Sequence, residues 1–265
     1  MDLGLNNKIA VITGGDSGIG KATARLLTQE GAKVALIDKT SEPLQQTAQE
    51  LEKYGEVVAV QADLTKQNEL ETAKHQILER FKTVHILVHA AGITGATGDF
   101  LELSDEDWYK TIEVDLMAAV RTCRAFIPSM RETGWGRVVL ISSEDAVQPY
   151  PEEMPYCASK AAVVNLAKNL SKAYAKDNVL VNTVSPAFIA TPMTDAMMEK
   201  LSKEMDVSFN EAISKFLDQN RPHLELKRRG RPEEVAAVIA FLCSEQSSFV
   251  LGANWRVDGG SVATV

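Results

Sequence analysis

The chain alternates between short apolar runs and longer segments in which apolar residues recur at helical spacing. The short runs are almost continuously apolar, as expected of strands that are covered on both faces of a sheet. These predicted strands lie at 8–13, 33–38, 56–61, 85–90, 137–142 and 179–184, with a short last one near 254–257. The predicted helices lie at 18–30, 41–54, 66–82, 105–131, 155–176 and 232–244.

This alternation predicts an α/β fold, a Rossmann-like doubly wound parallel sheet with helices on both faces. No linker or repeat divides the sequence, so we expect 1–265 to form a single domain. The segment 194–226 interrupts the alternation, and its Met and Phe residues at helical spacing are typical of packing against a core. Because the segment follows the carboxyl end of a strand, where ligands bind in such sheets, a helical lid over the substrate is the other interpretation.

Charge and composition argue against several classes of partner. The net charge is −8 and the pI is near 5.2, so we expect neither a nucleic-acid nor a membrane partner. The three cysteines and four histidines show no metal-ligand spacing, which favours a reducing compartment and no metal site. The start MDLGLNNK lacks the basic and apolar regions of a secretory signal, and cytoplasmic localisation is therefore expected.

A glycine-rich turn follows the first predicted strand, in TGGDSGIGKATARLL at 13–27. Gly14, Gly18 and Gly20 lie where this turn opens into a helix, so backbone N–H groups and the positive helix end would meet a pyrophosphate. Asp38 ends the second strand, close to the spacing expected of a carboxylate that binds the ribose. Together these features predict a dinucleotide site.

Asp38 also bears on the choice of dinucleotide. Its carboxylate would accept hydrogen bonds from ribose hydroxyls, whereas a 2′-phosphate there would meet like charge. Asp16 and Ser17 in the turn provide no cation for that phosphate, although the flexible Lys39 would offset Asp38. NAD is favoured over NADP.

Several short motifs follow one another in a specific order. With these motifs the chain resembles the short-chain dehydrogenase/reductase family, in its compact single-domain branch, from about residue 8 to 260. The resemblance implies about seven parallel strands, a nicotinamide cofactor, a small alcohol or carbonyl substrate and a homotetramer. The motifs are TGGDSGIG (13–20), Asp63-Leu64, HAAG (89–92), Ser143, YCASK (156–160), VNTVSPA (181–187), TPM (191–193) and VDGG (257–260).

The resemblance assigns catalytic roles to Ser143, Tyr156 and Lys160. A free tyrosine has a pKa of about 10, and a lysine one helical turn further on would favour its phenolate. Tyr156 would exchange a proton with the substrate oxygen, and Ser143 would donate a hydrogen bond to that oxygen. The cofactor-binding residues that we expect are Gly14, Asp16, Ser17, Gly18, Ile19, Gly20, Asp38, Asp63, Leu64, Ala91, Gly92, Tyr156, Lys160, Pro186, Ile189 and Thr191.

The chain departs from the family pattern at Asp115, where the family usually has an asparagine that holds a water next to the lysine. Aspartate would bond the same water or pair with Lys160, and we include it in the catalytic set. HAAG places His89 where an asparagine is common, and a structural hydrogen bond is expected there. Acids next to the catalytic residues, such as Glu144 and Asp145, would favour a polyhydroxylated or cationic substrate, although such acids are more often solvated.

Three functions remain open. The first is an NAD-dependent enzyme that interconverts a secondary alcohol and a ketone. The second is an NADPH-dependent 3-oxoacyl-thioester reductase, against which Asp38 counts. The third is a dinucleotide-binding regulator without turnover, against which the complete set of Ser143, Tyr156 and Lys160 counts.

Overall fold

A computed structural model describes residues 2–264 and contains one seven-stranded sheet in the order β3-β2-β1-β4-β5-β6-β7. Every neighbouring pair is parallel, which confirms the predicted fold class. The order reverses between β1 and β4, and a crevice opens there at the carboxyl ends of the strands. The strands are β1 Ile9–Thr13, β2 Lys33–Asp38, β3 Val57–Gln61, β4 Ile86–His89, β5 Gly136–Ile141, β6 Val179–Pro186 and β7 Asn254–Val257.

Helices cover both faces of the sheet and enclose two apolar cores. One core contains Ile77 and Phe126, and the other contains Leu27 and Ile239. β1 is buried at every position, which explains its continuous apolar run. The helices are α1 Gly18–Gln29, α2 Ser41–Leu51, α3 Gln67–Phe81, α4 Asp105–Ile112, α5 Ala118–Thr133, α6 Met154–Tyr174, α7 Pro192–Met205, α8 Phe209–Asn220 and α9 Pro232–Cys243.

The single helix predicted at 105–131 is wrong in one respect. The structure has α4 and α5, separated by a π-helical turn at Glu113–Met117 that contains Asp115. One wider turn barely alters the apolar periodicity, so the sequence pattern does not show it. In this turn Asp115 accepts a hydrogen bond from the backbone N–H of Ile93, a partner outside the helix.

The segment 194–226 contributes most of α7 and all of α8, which pack around a small apolar cluster. Phe188 and Phe216 are stacked in it with ring centroids 4.8 Å apart, and Met198 is fully buried. The start of α7 also lines the crevice, through Met193 and Thr194. The packing interpretation of this segment is thus confirmed, and a lid over the substrate stays a prediction. Within 2–264, no helix combines the length and the apolar character that crossing a bilayer requires.

Candidate active site

A cavity of about 420 Å³ opens at the carboxyl ends of the strands. It is lined by every residue that we predicted for the cofactor, and by Ser143. The sequence missed several further lining residues, because they come from loops and helices outside the motifs; Ile93, Lys110, Val114 and Thr194 are among them.

The glycine positions of the turn leave little room for a Cβ atom. A Cβ atom on Gly14 would lie 2.9 Å from the backbone of Ala90, and one on Gly20 would lie 2.0 Å from the carbonyl oxygen of Gly14. Gly18 has φ +52°, in the left-handed region that favours glycine. The bare backbone thus meets the cavity where α1 begins, which suits close approach of a pyrophosphate.

Carboxylates dominate the end of the cavity near β2 and β3. Asp38 accepts a hydrogen bond from the N–H of Thr40 at 3.2 Å, and burial together with the charge of Asp16 raises the pKa of its carboxyl. Asp63 accepts bonds from the hydroxyl and the N–H of Thr65, at 2.7 and 3.0 Å, which lower its pKa. Lys39 is the one cation among the cavity-lining residues of this region that the structure describes.

The other end of the cavity brings together three of the four residues predicted for the catalytic set. Ser143 lies two residues beyond β5, while Tyr156 and Lys160 lie one turn apart at the start of α6. The Lys160 ammonium donates to the carbonyl of Ile141 at 3.3 Å, and the Ser142 hydroxyl donates to the backbone carbonyl of Lys160 at 2.8 Å. These two bonds hold α6 against the end of β5, which brings Tyr156 and Ser143 to the same wall.

Asp115 lies behind this wall and does not line the cavity. Its Oδ1 atom is 3.5 Å from the Lys160 ammonium, and the residue is 1% exposed. A Cβ atom on Gly92 would come within 2.6 Å of the same oxygen, so the glycine makes room for the pair. Burial raises the pKa of Asp115 and Lys160 opposes this shift. Of the two interactions that we expected for Asp115, the ion pair with Lys160 is present.

The electrostatics at Tyr156 differ from the expectation that Lys160 would favour the phenolate. Burial raises the pKa of Tyr156 well above 10, and the charges of Asp145 and Asp115 raise it further. The Ser143 hydroxyl acts in the opposite direction. Burial is thus the largest influence, and the direction of the pKa shift favours the protonated phenol.

His89 makes the structural hydrogen bond that we expected. The Thr13 hydroxyl oxygen accepts bonds from the N–H groups of Ala90 and Ala91, at 3.1 and 3.2 Å, which leaves its proton for His89 Nδ1 at 3.1 Å. We therefore assign the imidazole proton to Nε2. Burial, aided by the charge of Lys160, lowers the pKa of His89 to about 3, so the ring stays neutral.

Two acids beside the site are not solvated, contrary to the commoner fate of such residues. Glu144 is 1% exposed and Asp145 is 5% exposed. Burial and the neighbouring Glu153 raise the pKa of Asp145 to about 7, while Arg221 lowers it. Sequence reasoning could not find Arg221, which is distant along the chain and belongs to no motif.

Known proteins are similar to this chain over nearly its whole length. A family model described as Enoyl-(Acyl carrier protein) reductase matches residues 14–262. The uncharacterized oxidoreductase YvrD of Bacillus subtilis is 35% identical over 265 residues, which cover 100% of both chains. The 3-oxoacyl-[acyl-carrier-protein] reductase FabG of Thermotoga maritima is 35% identical over 97% of this chain and 99% of its own length.

A solved structure is similar over its whole length. The crystal structure of L-sorbose reductase from Gluconobacter frateurii, complexed with NADPH and L-sorbose, has a TM-score of 0.95 at 34% identity and covers 100% of both chains. The fold, the ordered motifs and the full-length relatives agree. The chain belongs to the short-chain dehydrogenase/reductase family, as an oxidoreductase acting on CH–OH groups.

Proposed function

We propose that this protein interconverts a small secondary alcohol and the corresponding ketone, with NAD as its dinucleotide and with Ser143, Tyr156 and Lys160 as its catalytic residues. The observation that supports this most is that the three side chains line the same cavity as the glycine turn. The dinucleotide, when bound, supplies the hydride chemistry. The glycine turn would hold its pyrophosphate, and Asp38 would hold its adenosine ribose.

The state of Tyr156 favours proton donation. Its raised pKa keeps the phenol protonated at neutral pH, so it can give a proton to the carbonyl oxygen of a ketone. The Ser143 hydroxyl can donate a second hydrogen bond to the same oxygen and orient it. In the opposite direction Tyr156 must first lose its proton, so alcohol oxidation requires a higher pH than ketone reduction.

We expect Asp115→Asn to keep turnover and to move the alkaline dependence of alcohol oxidation to lower pH. The carboxylate raises the pKa of Tyr156 and balances Lys160, so its removal lowers that pKa by both routes. Oxidation needs the deprotonated form, and its rate rises with pH through the Tyr156 pKa, which now lies lower. The pH profile of kcat/KM for alcohol oxidation measures this shift.

The matched control is Glu113→Gln. Glu113 lies in the same π-helical turn and pairs with Arg121 rather than with Lys160. Its change to glutamine removes the same charge as Asp115→Asn does. Its profile should match that of the wild type. Complete loss of turnover in a folded Asp115→Asn protein would show that Asp115 has another role than tuning the proton donor.

The preference for NAD is supported by the carboxylates of Asp16 and Asp38. Both line the cavity, and each raises the electrostatic cost of a 2′-phosphate beside Asp38. We expect wild-type protein to bind NADH more tightly than NADPH, and Asp38→Asn to reduce that ratio by about tenfold, or about 1.4 kcal/mol. Titration followed by nicotinamide fluorescence measures both affinities.

Glu42→Gln is the control for this experiment, because Glu42 is an acid at the start of the next helix that does not line the cavity. Its NADH-to-NADPH ratio should equal that of the wild type. Tighter binding of NADPH by the wild-type protein would mean that Lys39 outweighs Asp38. That result would agree with the NADPH in the L-sorbose reductase complex.

A second candidate function is NADPH-dependent reduction of 3-oxoacyl thioesters, which the similarity to FabG of Thermotoga maritima favours. Asp38 counts against this candidate, because it lines the cavity where a 2′-phosphate would meet like charge. Initial rates with L-sorbose and with an acetoacetyl thioester, each with NADH and NADPH, separate the two functions. Faster reduction of the thioester would reverse the order proposed here.

We also propose that copies of the chain assemble as a homotetramer. β7 is an edge strand of the sheet, and the side chain of Phe249 beside it is fully exposed. The edge of β7 and the apolar residues of α6 supply surfaces for such contacts.

A further inference from the structure

Arg221 is a buried cation that follows α8 and reaches across to the loop on the other side of the site. The residue is 8% exposed. Its Nη2 atom lies 2.9 Å from a carboxylate oxygen of Glu153, and its Nε atom lies 3.8 Å from one of Glu144. The guanidinium also stacks on Tyr150, 3.6 Å from the ring centroid. These contacts come from side chains between 144 and 153. Arg221 belongs to the helical segment 192–226, which comprises α7, α8 and the residues that directly follow α8.

The loop that Arg221 contacts is the connection between the two proposed catalytic residues. Glu144 directly follows Ser143, and Glu153 directly precedes α6, which contains Tyr156. The Tyr150 hydroxyl donates to Glu144 at 3.3 Å, so the loop is bonded within itself as well as to Arg221. A shift of this loop would therefore move the proton donor and the Ser143 hydroxyl relative to each other.

The loop also contains an excess of negative charge beside Tyr156. Glu144, Asp145 and Glu153 face one another, and Arg221 is the cation that faces all three. Asp145 is the strongest of the charges that raise the pKa of Tyr156. Without Arg221 the carboxyl groups would repel one another, and the loop would move or take up protons.

We propose that Arg221 is a positioning residue, which holds the loop 144–153 and thereby couples the helical segment 192–226 to Ser143 and Tyr156. This inference rests on the proposed function, since it concerns the roles of those two residues. The interaction is direct: one planar guanidinium pairs with two carboxylates and stacks on an aromatic ring, a combination that lysine does not reproduce. Any substrate that orders the helical segment would order the proton donor with it.

The test compares Arg221→Gln with Arg221→Lys and with the wild type. We expect kcat for ketone reduction to fall by about 10- to 100-fold in Arg221→Gln, with NADH affinity unchanged, because a small displacement of catalytic groups has an effect of that size. Arg221→Lys should recover part of the loss. Arg221→Gln/Glu153→Gln should also recover part of it, because the carboxylate that lost its partner is gone.

The pH profile provides a readout that a merely structural role would not move. Arg221 lowers the pKa of Asp145, which is about 7, so its removal raises that pKa, and Asp145 takes up its proton at higher pH. The charge of Asp145 acts on Tyr156, so kcat for ketone reduction changes over the pH range in which Asp145 titrates. That change should move to higher pH in Arg221→Gln and stay in place in Arg221→Lys. Arg228→Gln is the control, because Arg228 lies in the same connection between α8 and α9 as Arg221, is exposed, and pairs with Glu234 instead.

Hydrogen–deuterium exchange separates this inference from the proposed function. Faster amide exchange across 144–153 in Arg221→Gln, with the strands unchanged, would support the positional role even if the wild-type protein reduced none of the ketones tested. That absence of turnover would contradict only the proposed function. Wild-type exchange, kcat and pH profile in Arg221→Gln would overturn the inference. If this variant does not fold, wild-type exchange and kcat in Arg221→Lys would do so.

Discussion

Replacing Tyr156 with phenylalanine is expected to lower kcat by about 10²- to 10⁴-fold in both directions, the usual range for loss of a general acid or base. Phenylalanine fills the same space and lacks only the hydroxyl, so the cavity and the apolar contacts remain. Lys160 keeps its bond to the carbonyl of Ile141 and its pair with Asp115. The variant should therefore fold, melt near the wild-type temperature and bind NADH.

Steady-state rates and NADH titration together measure this separation between turnover and binding. Tyr109→Phe is the matched control, because Tyr109 loses the same hydroxyl at a position that is 67% exposed and outside the cavity. The control should behave as the wild type. If Tyr156→Phe retained its turnover, the substrate oxygen would be receiving its proton from another group, and the assignment of Tyr156 would be wrong.

Gly20→Ala is expected to abolish dinucleotide binding, which is the second large effect. The added methyl group would lie 2.0 Å from the carbonyl oxygen and 2.7 Å from the carbonyl carbon of Gly14. Both atoms belong to the backbone of the turn, so the turn itself must move. Each charge-assisted bond to a phosphate contributes about 1.5–3 kcal/mol, and affinity falls by at least about tenfold for every bond lost.

The binding constant for NADH and the thermal midpoint measure the effect of Gly20→Ala. We expect the stability to fall by about 1–3 kcal/mol, the usual cost of overpacking. Gly134→Asn is the control, since a Cβ atom at Gly134 has nothing within 4 Å and asparagine tolerates its φ of +65°. Unchanged NADH affinity in Gly20→Ala would show that the glycine turn does not hold the phosphates.

The fold was predictable because its signals are local. A strand that is buried on both faces is a nearly continuous apolar run, and β1, β2, β4 and β5 have this form. β3 is only partly buried, and β6 includes the polar Asn182 and Thr183. Alternation of such strands with helices favours one handedness of connection and hence one type of sheet. Most helices and strands begin and end within three residues of their predicted bounds. The exception is the π-helical turn at Glu113–Met117, which was not predicted.

The lining of the cavity near the glycine turn was also predictable, because its residues belong to contiguous motifs at strand ends. Gly14, Gly18 and Gly20 belong to one turn, and Asp38 ends the neighbouring strand. Parallel strands bring their carboxyl ends to one edge, so residues that follow different strands meet without any further information. The preference between NAD and NADP, in contrast, depends on the balance between the negative charges of Asp16 and Asp38 and the positive charge of Lys39, which all line the cavity.

By itself, then, the sequence determined the class of fold and predicted which residues line the cavity. Only the tertiary structure decided the charge around Tyr156. It shows which of the two interactions expected of Asp115 is present, the pair with Lys160, and it brings Arg221 to Glu144 and Glu153. The physical reason is that pKa values depend on burial and on charges within a few ångströms. Residues 115 and 160, or 153 and 221, are brought that close by packing of helices, which local patterns along the chain do not record.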